Sequence, residues 1–131
     1  MENLGRNYER NDVIVLEGAI YRDCSFKSVD FSGQNFRETE FESCLFEKFD
    51  LSLIDLSDAK LHQVEYKDCR IQGIIFFEIN PLIVEMNFID CQIRECNFSG
   101  LVLKETVFEG CYIFGTDFVN CDMRGCNFGK V

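Results

Sequence analysis

Residues 24–33 consist of two five-residue repeats, Cys24-Ser25-Phe26-Lys27-Ser28 and Val29-Asp30-Phe31-Ser32-Gly33. In each repeat a small residue and a polar residue precede a phenylalanine. When this phase is followed outward, a large apolar or aromatic residue recurs at every fifth position in two runs. We call each of these residues the centre of its repeat. The first run is Leu16, Tyr21, Phe26, Phe31, Phe36, Phe41, Phe46, Leu51, Leu56, Leu61, Tyr66, Ile71 and Phe76, and the second is Phe88, Ile93, Phe98, Leu103, Phe108, Ile113, Phe118, Met123 and Phe128.

A period of five residues fits neither regular secondary structure by itself. On an α-helix, five residues advance by about 500°, so the apolar stripe would wind around the helix. In an ordinary strand, successive centres would point to opposite faces. A chain that bends once in every repeat keeps all centres facing one core. In that geometry the position two before the centre also points inward, and the two positions after the centre form the turn.

Cysteine and glycine placements support this geometry independently. All eight cysteines fall two positions before a centre, where a small apolar side chain suits an inner corner. Seven of the nine glycines fall two positions after a centre, which predicts a positive φ in the turn. The cysteines are Cys24, Cys44, Cys69, Cys91, Cys96, Cys111, Cys121 and Cys126, and the glycines are Gly18, Gly33, Gly73, Gly100, Gly110, Gly115 and Gly125.

The repeat resembles the unit of the pentapeptide-repeat family, in which a small residue is followed by Asp or Asn, by Leu or Phe, and by two polar residues. Val29-Asp30-Phe31-Ser32-Gly33, Cys96-Asn97-Phe98-Ser99-Gly100, Thr116-Asp117-Phe118 and Cys126-Asn127-Phe128 carry the match. The resemblance implies an all-β fold, a right-handed quadrilateral β-helix with four repeats per coil. About 5–6 coils with a spacing of about 4.8 Å make a rod about 27 Å long. We expect residues 1–13 to form an N-terminal cap and residues 14–131 a single β-helix.

One irregular repeat interrupts the pattern within residues 77–87, because Phe76 and Phe88 are twelve positions apart instead of ten. The Asn80-Pro81 pair predicts a turn at this place. We expect Leu82 or Ile83 to supply the inward side chain of the long repeat. The apolar residues here favour a locally repacked corner over an exposed contact patch.

The cysteines favour neither a zinc site nor a disulfide framework. The sequence contains no Cys-x-x-Cys pair, and His62 is its only histidine, at a position that predicts a solvated side chain. Cys24 with Cys44, and Cys91 with Cys111, are expected to stack in neighbouring coils as reduced thiols whose role is packing. We expect no cofactor and no metal.

Composition narrows the possible functions further. A formal net charge of −10 argues against direct nucleic-acid binding and favours a basic partner. The polar start at residues 1–10 and the lack of a long apolar run predict a cytoplasmic protein that makes no use of a membrane. An interior filled with Phe and Leu leaves no polar constellation for catalysis, so we expect a non-catalytic binding protein.

Charge is distributed unevenly over the four faces of the predicted rod. With the faces numbered in chain order from Leu16, and the break counted as one long repeat, face 1 carries six carboxylates opposed only by Arg37, a formal charge of about −5. These candidate partner-binding residues are Glu17, Glu38, Asp55, Asp58, Glu78 and Asp117.

In repeat, charge and the Asn-Pro interruption, the sequence is similar to the quinolone-resistance (Qnr-type) group of the family. That resemblance implies an acidic rod that imitates DNA and binds a type II topoisomerase, either DNA gyrase or topoisomerase IV, to inhibit or protect it. A protein-interaction or structural scaffold for another partner is the alternative.

The C-terminal coil predicts a second contact. A solenoid exposes its core at an uncapped end. We expect a homodimer formed end to end through this coil, with Ile113, Phe114, Phe118, Met123 and Phe128 near the contact.

Overall fold

Parallel strands from residues about twenty apart stack on one another throughout the chain. The computed structural model describes residues 2–12, 14, 16–29, 31, 35–82 and 84–129. Within them, Ile20 pairs with Glu40, and Glu40 with Lys60, in one unbroken parallel register. The described elements are β1 (Glu2–Leu4), β2 (Asn7–Tyr8), β3 (Ile20–Arg22), β4 (Ser25–Lys27), β5 (Glu40–Glu42), β6 (Leu45–Glu47), β7 (Asp50–Ser52), β8 (Lys60–Lys67), β9 (Arg70–Gln72), a 3₁₀ helix (Phe76–Glu78), β10 (Val84–Ile89), β11 (Gln92–Arg94), β12 (Phe108–Glu109) and β13 (Tyr112–Phe114).

These strands make the faces of a quadrilateral β-helix of about five turns. Face 4 is the four-stranded parallel sheet β7-β9-β11-β13. Strands β1, β3 and β5 lie on face 2, β2, β4 and β6 lie on face 3, and the long β8 runs across both. Face 1 consists of turns joined by isolated parallel bridges. Within the described part of the chain, no helix has the length and apolar character needed to cross a membrane.

The turns have the backbone conformation that the glycine positions predict. In the regular repeats, every described residue two positions after a centre has a φ between 52° and 76°, whether or not it is glycine. On face 1 a hydrogen bond closes each of several such turns, as from the Ala19 N–H to the Leu16 carbonyl at 2.9 Å. Gly33 lies outside the described residues.

The centres stack into ladders along the rod, which buries those before the last described coil almost completely. On face 3, seven aromatic rings lie one above another, each with its centroid 4.9–5.3 Å from the next. Such spacing keeps neighbouring coils in van der Waals contact and fixes their register. The ladder consists of Tyr8, Phe26, Phe46, Tyr66, Phe88, Phe108 and Phe128.

The irregular repeat differs from the prediction in the side chains that fill it. Of the two residues expected to point inward, Leu82 is 88% exposed and does not, and Ile83 lies outside the described residues, so that half of the prediction is untested. Ile79 is buried instead, and Val84 pairs with Leu61 and packs against the core. The chain bulges outward around Pro81, which has no N–H to offer the ladder.

The register shows how two net extra residues are accommodated. The Asn80 N–H donates to the Ala59 carbonyl at 2.8 Å, which keeps the spacing of the preceding coils up to residue 80. Pairing resumes with Val84 opposite Leu61, and then shifts by one so that Met86 lies opposite Val64. The register therefore gains three residues between Asn80 and Val84 and loses one between Val84 and Met86.

Residues at the N-terminus add strands to the first coil. Glu2 pairs with Ile20, Asn7 pairs with Ser25, and the Tyr8 ring stacks on that of Phe26. These strands continue the parallel sheets of faces 2 and 3. The capping role of residues 1–13 stays a prediction.

Candidate protein-binding face

The six acidic side chains expected on face 1 are all exposed, and five of them lie close together. Glu17, Glu38, Asp58 and Glu78 come from four successive coils of this face, at about 4.8 Å per coil. Glu17 directly follows its centre, as Arg37 does, whereas Glu38 and Asp58 are two positions after theirs, so the carboxylates are spread over two adjacent turn positions. The backbone bonds that stack these turns run from Gly18 to Arg37 (3.2 Å), from Glu38 to Ser57 (2.9 Å) and from Asp58 to Glu78 (2.9 Å).

Asp55 is held by a local hydrogen-bond network. The Ser57 hydroxyl donates to Asp55 Oδ1 at 2.6 Å, and the Ser57 N–H donates to the same oxygen at 2.9 Å. The same hydroxyl lies 3.0 Å from Glu78 Oε2, and Arg37 Nε lies 3.7 Å from Asp55. The hydrogen bonds from the Ser57 side chain and backbone hold the pKa of Asp55 below its ordinary value. Face 1 therefore presents an ionised carboxylate in a fixed orientation.

Asp117 lies on the same face but at a distance from the other acidic residues. Parallel bridges join Ile75 to Asn97 and Asn97 to Asp117, which places Asp117 in the row that begins at Asp55. Two uncharged residues separate these carboxylates, so they lie three coils apart, about 14 Å. The acidic region is concentrated on the N-terminal part of the face.

Among the described residues, three apolar side chains also point outward from face 1. Ile75 is 43% exposed, Phe77 is 47% exposed, and Val119 is exposed one coil beyond Ser99. The predicted site on this face contained only its acidic residues and omitted Ile75 and Val119. Because their positions relative to the centres are outward ones, the five-residue phase could have identified both.

The residues predicted at a C-terminal contact belong to the last described coil. Ile113, Phe118 and Met123 are half-buried, whereas the centres one coil earlier, such as Phe98, are fully buried. Phe128 is exposed at the top of the face 3 ladder. Phe114 differs from these, because it points outward from the face 4 sheet and is 58% exposed.

The thiols are free and lie at inner corners. Five are buried and three, in the last described coil, are half-buried. The Cys44 thiol donates to the Tyr21 carbonyl at 3.3 Å, and burial raises the pKa of Cys44 to about 11. No group of three or more His, Cys, Asp or Glu side chains suited to a metal ion occurs among the described residues.

His62 lies at the surface between two carboxylates. Its Nε2 atom is 3.1 Å from Glu85, and its Nδ1 atom is 4.0 Å from Glu42. It belongs to a row of charged side chains on face 2 that includes Arg22, whose Nε donates to Glu42 at 3.0 Å. The Arg22 pairs offset part of the negative charge on face 2, which leaves face 1 as the more acidic surface.

Two family models match the sequence. One, described as a pentapeptide repeat region, matches residues 19–87, and the other, described as pentapeptide repeats (8 copies), matches residues 87–129. The comparison with curated proteins found no match.

A comparison with solved structures found matches that cover most of this chain. A trypsin-treated variant of QnrB1, a plasmid-mediated fluoroquinolone resistance protein, is 22% identical with a TM-score of 0.47 over 96% of this chain and 72% of QnrB1. For full-length QnrB1 the identity is 19% and the TM-score 0.33, over 99% and 85% of the two chains. Rfr23 from the cyanobacterium Cyanothece 51142, a pentapeptide repeat protein, is 9% identical with a TM-score of 0.37 over 96% and 86%.

The first family model alone spans more than half of the sequence, and the two together cover residues 19–129. The four-faced coil, the inward cysteines and the left-handed turns agree with that match. The chain belongs to the pentapeptide-repeat family.

Proposed function

We propose that this protein is a non-catalytic binding protein whose face 1 imitates the charge of DNA and binds a type II topoisomerase such as DNA gyrase. The observation that carries the proposal is the exposure of one carboxylate on each of four successive coils of face 1, at Glu17, Glu38, Asp58 and Glu78. The resemblance to Qnr-type sequences supports the choice of partner. Such an enzyme is cytoplasmic, as is the protein in this proposal.

The charge density of the rod is comparable to that of the DNA duplex that a topoisomerase binds. DNA carries one charge per about 1.7 Å, or about sixteen over the 27 Å length of the rod. Ten net negative charges on this chain come to somewhat more than half of that density. The fixed carboxylate of Asp55 adds to the match, because a preorganised charge loses little conformational entropy on binding.

A supercoiling assay with purified gyrase, with and without a quinolone, tests the proposal. We expect inhibition of supercoiling, or protection against the drug, at micromolar concentrations of the protein. The effect should weaken as salt is raised, because the interaction is largely electrostatic. No effect at tens of micromolar would reject the proposal.

A matched pair of charge reversals separates the role of face 1 from that of net charge. Glu38→Lys/Asp55→Lys/Asp58→Lys should abolish the effect. Glu95→Lys/Glu105→Lys/Glu109→Lys changes the net charge by the same amount on other, exposed positions and should retain most of it. Equal losses in the two triple variants would argue for non-specific electrostatics.

A scaffold for another protein is the second candidate, favoured by the exposed Phe114 and Tyr112 on face 4. Arg94 lies 5.7 Å from the centre of the Tyr112 ring, so the β11–β13 end of this sheet offers aromatic and cationic groups. Pull-down with Phe114→Ser as the control distinguishes the two candidates, since gyrase binding through face 1 should be unaffected by that change.

We also propose that a second copy packs against the last described coil, where Ile113, Phe118 and Met123 are only half-buried. Light scattering should then give twice the chain mass of 15.3 kDa at micromolar concentration. Met123→Glu should shift the protein to the monomer. A monomeric wild type would reject this contact without affecting the proposal for face 1.

A further inference from the structure

Exposed apolar side chains lie in a band at the level of the irregular coil, on face 1 itself and on the turns before and after it. The band consists of Leu53, Ile75, Phe77 and Leu82, which are 81%, 43%, 47% and 88% exposed. Leu53 comes from the preceding coil, but a Cβ atom on Gly73 would lie only 2.7 Å from its Cδ2 atom. The Leu53 side chain therefore lies over the Gly73 corner, next to the start of face 1 in the same coil as Ile75.

The backbone holds these side chains outward. Phe76 and Ile79 are buried on either side of Phe77, so the inward space of this coil is filled. The Phe76 and Phe77 N–H groups both donate to the Asn97 carbonyl, at 2.8 and 3.3 Å. Ile75 is likewise tied to Asn97 by a parallel bridge. The exposure of Phe77 is therefore a property of the coil geometry.

Carboxylates border the band on face 1. Asp55 and Asp58 lie one coil before it, and Glu78 is the residue next to Phe77. An apolar centre with a charged rim is the usual composition of a protein-binding surface. The phosphate backbone of DNA presents no apolar groups like these aromatic and branched side chains. Imitation of the charge of DNA therefore does not explain why they are exposed.

We propose that the apolar band is the central contact of face 1 and that it fits an apolar pocket bordered by Lys and Arg on the partner protein. This inference rests on the proposed function, because it concerns the same face and the same partner, a type II topoisomerase. The carboxylates around the band call for Lys and Arg at the edge of the partner's binding site, because opposite charges attract. The four apolar side chains call for an apolar pocket at its centre. Phe77 is the residue that enters the pocket, because an aromatic side chain buries the most area at little conformational cost.

Binding of the full chain to purified DNA gyrase, measured by calorimetry at two salt concentrations, tests the inference. Phe77→Ala should weaken binding at least about tenfold at both salt concentrations, because the lost contact is apolar. Phe77→Leu should restore most of the affinity. Phe114→Ala is the matched control, since Phe114 occupies the same repeat position on face 4, is 58% exposed, and should leave affinity unchanged.

The binding measurements distinguish a failure of the apolar band from a failure of gyrase binding as a whole. If Phe77→Ala and Leu82→Ser both bind as the wild type does, while Glu38→Lys/Asp55→Lys/Asp58→Lys does not bind, the apolar band is rejected and the acidic face is retained. If the wild type itself does not bind, both are rejected. Thermal unfolding of each variant verifies folding, and Leu82→Ser, at an 88% exposed position, supplies a second variant should Phe77→Ala prove unstable.

Discussion

The ring of Phe98 stacks on that of Phe76, with centroids 4.4 Å apart and planes only 7° from parallel. These two residues lie on either side of the irregular segment and are 22 positions apart instead of the usual twenty. The core ladder of face 1 therefore continues across the break without a gap. The extra residues leave the coil as an outward bulge, and the packing of the core is kept.

Truncating this stack should destabilise the rod strongly. Phe98 is fully buried, so Phe98→Ala should lower the free energy of unfolding by about 3–5 kcal/mol through lost burial and the cavity that remains. Chemical denaturation followed by circular dichroism measures the change. Phe114→Ala, at an exposed position on face 4, should stay within about 0.5 kcal/mol of the wild type. Comparable losses in the two variants would contradict the ladder.

Two apolar residues of the irregular repeat should respond in opposite ways. Ile79 is 2% exposed and Leu82 is 88% exposed. Ile79→Ala should therefore cost about 2–5 kcal/mol, because it opens a cavity at an inner corner. Leu82→Ala should have almost no effect on the unfolding midpoint. A larger loss for Leu82→Ala would mean that the bulge carries core contacts.

The titration of Asp55 should depend on Ser57. Ser57→Ala removes the side-chain hydrogen bond that contributes most to the lowered pKa of Asp55, so that pKa should rise towards its ordinary value of 3.8. Carboxyl chemical shifts measured by NMR between pH 2 and 6 follow this change. Ser99→Ala, on the same face but two coils away, should leave the Asp55 titration unchanged.

The lowered pKa of Asp55 determines how this residue affects the stability of the protein as the pH changes. Since the pKa of Asp55 is lower in the folded than in the unfolded state, its contribution is fully present above about pH 4. It is lost as the pH falls through the lower, folded value. Ser57→Ala should flatten the stability curve in this acidic window, and an unchanged curve would show that the hydrogen bond to Asp55 is not maintained in solution.

The thiols should react in two groups. Burial raises the pKa of Cys44 to about 11, so at pH 8 only about one in a thousand of these thiols is ionised. The three half-buried thiols, Cys111, Cys121 and Cys126, should be alkylated first in the native protein. In denaturant all eight should react, and mass spectrometry identifies the order. Early modification of Cys44 would contradict its burial.

Much of the fold could be predicted because the conformation of each repeat is determined by its own five residues. The inward direction of Phe26 or Cys44 and the left-handed turn at Gly18 follow from spacing alone, since every unit of five residues repeats the same backbone path. The acidic character of face 1 followed from the same phase. The outward positions of Ile75 and Val119 follow from the same spacing.

The sequence by itself determined the four-faced coil, the core positions and the outward carboxylates, because a strict period couples each side chain to one direction. Only the tertiary structure decided how two extra residues are distributed around Pro81, and therefore that Ile79 points inward, that Leu82 points outward and that Asp117 lies in the row of Asp55. The physical reason is that a local pattern cannot choose between several ways of placing an insertion. That choice depends on contacts with the coils on either side, where the Phe76–Phe98 stack and the bonds to Asn97 favour one register.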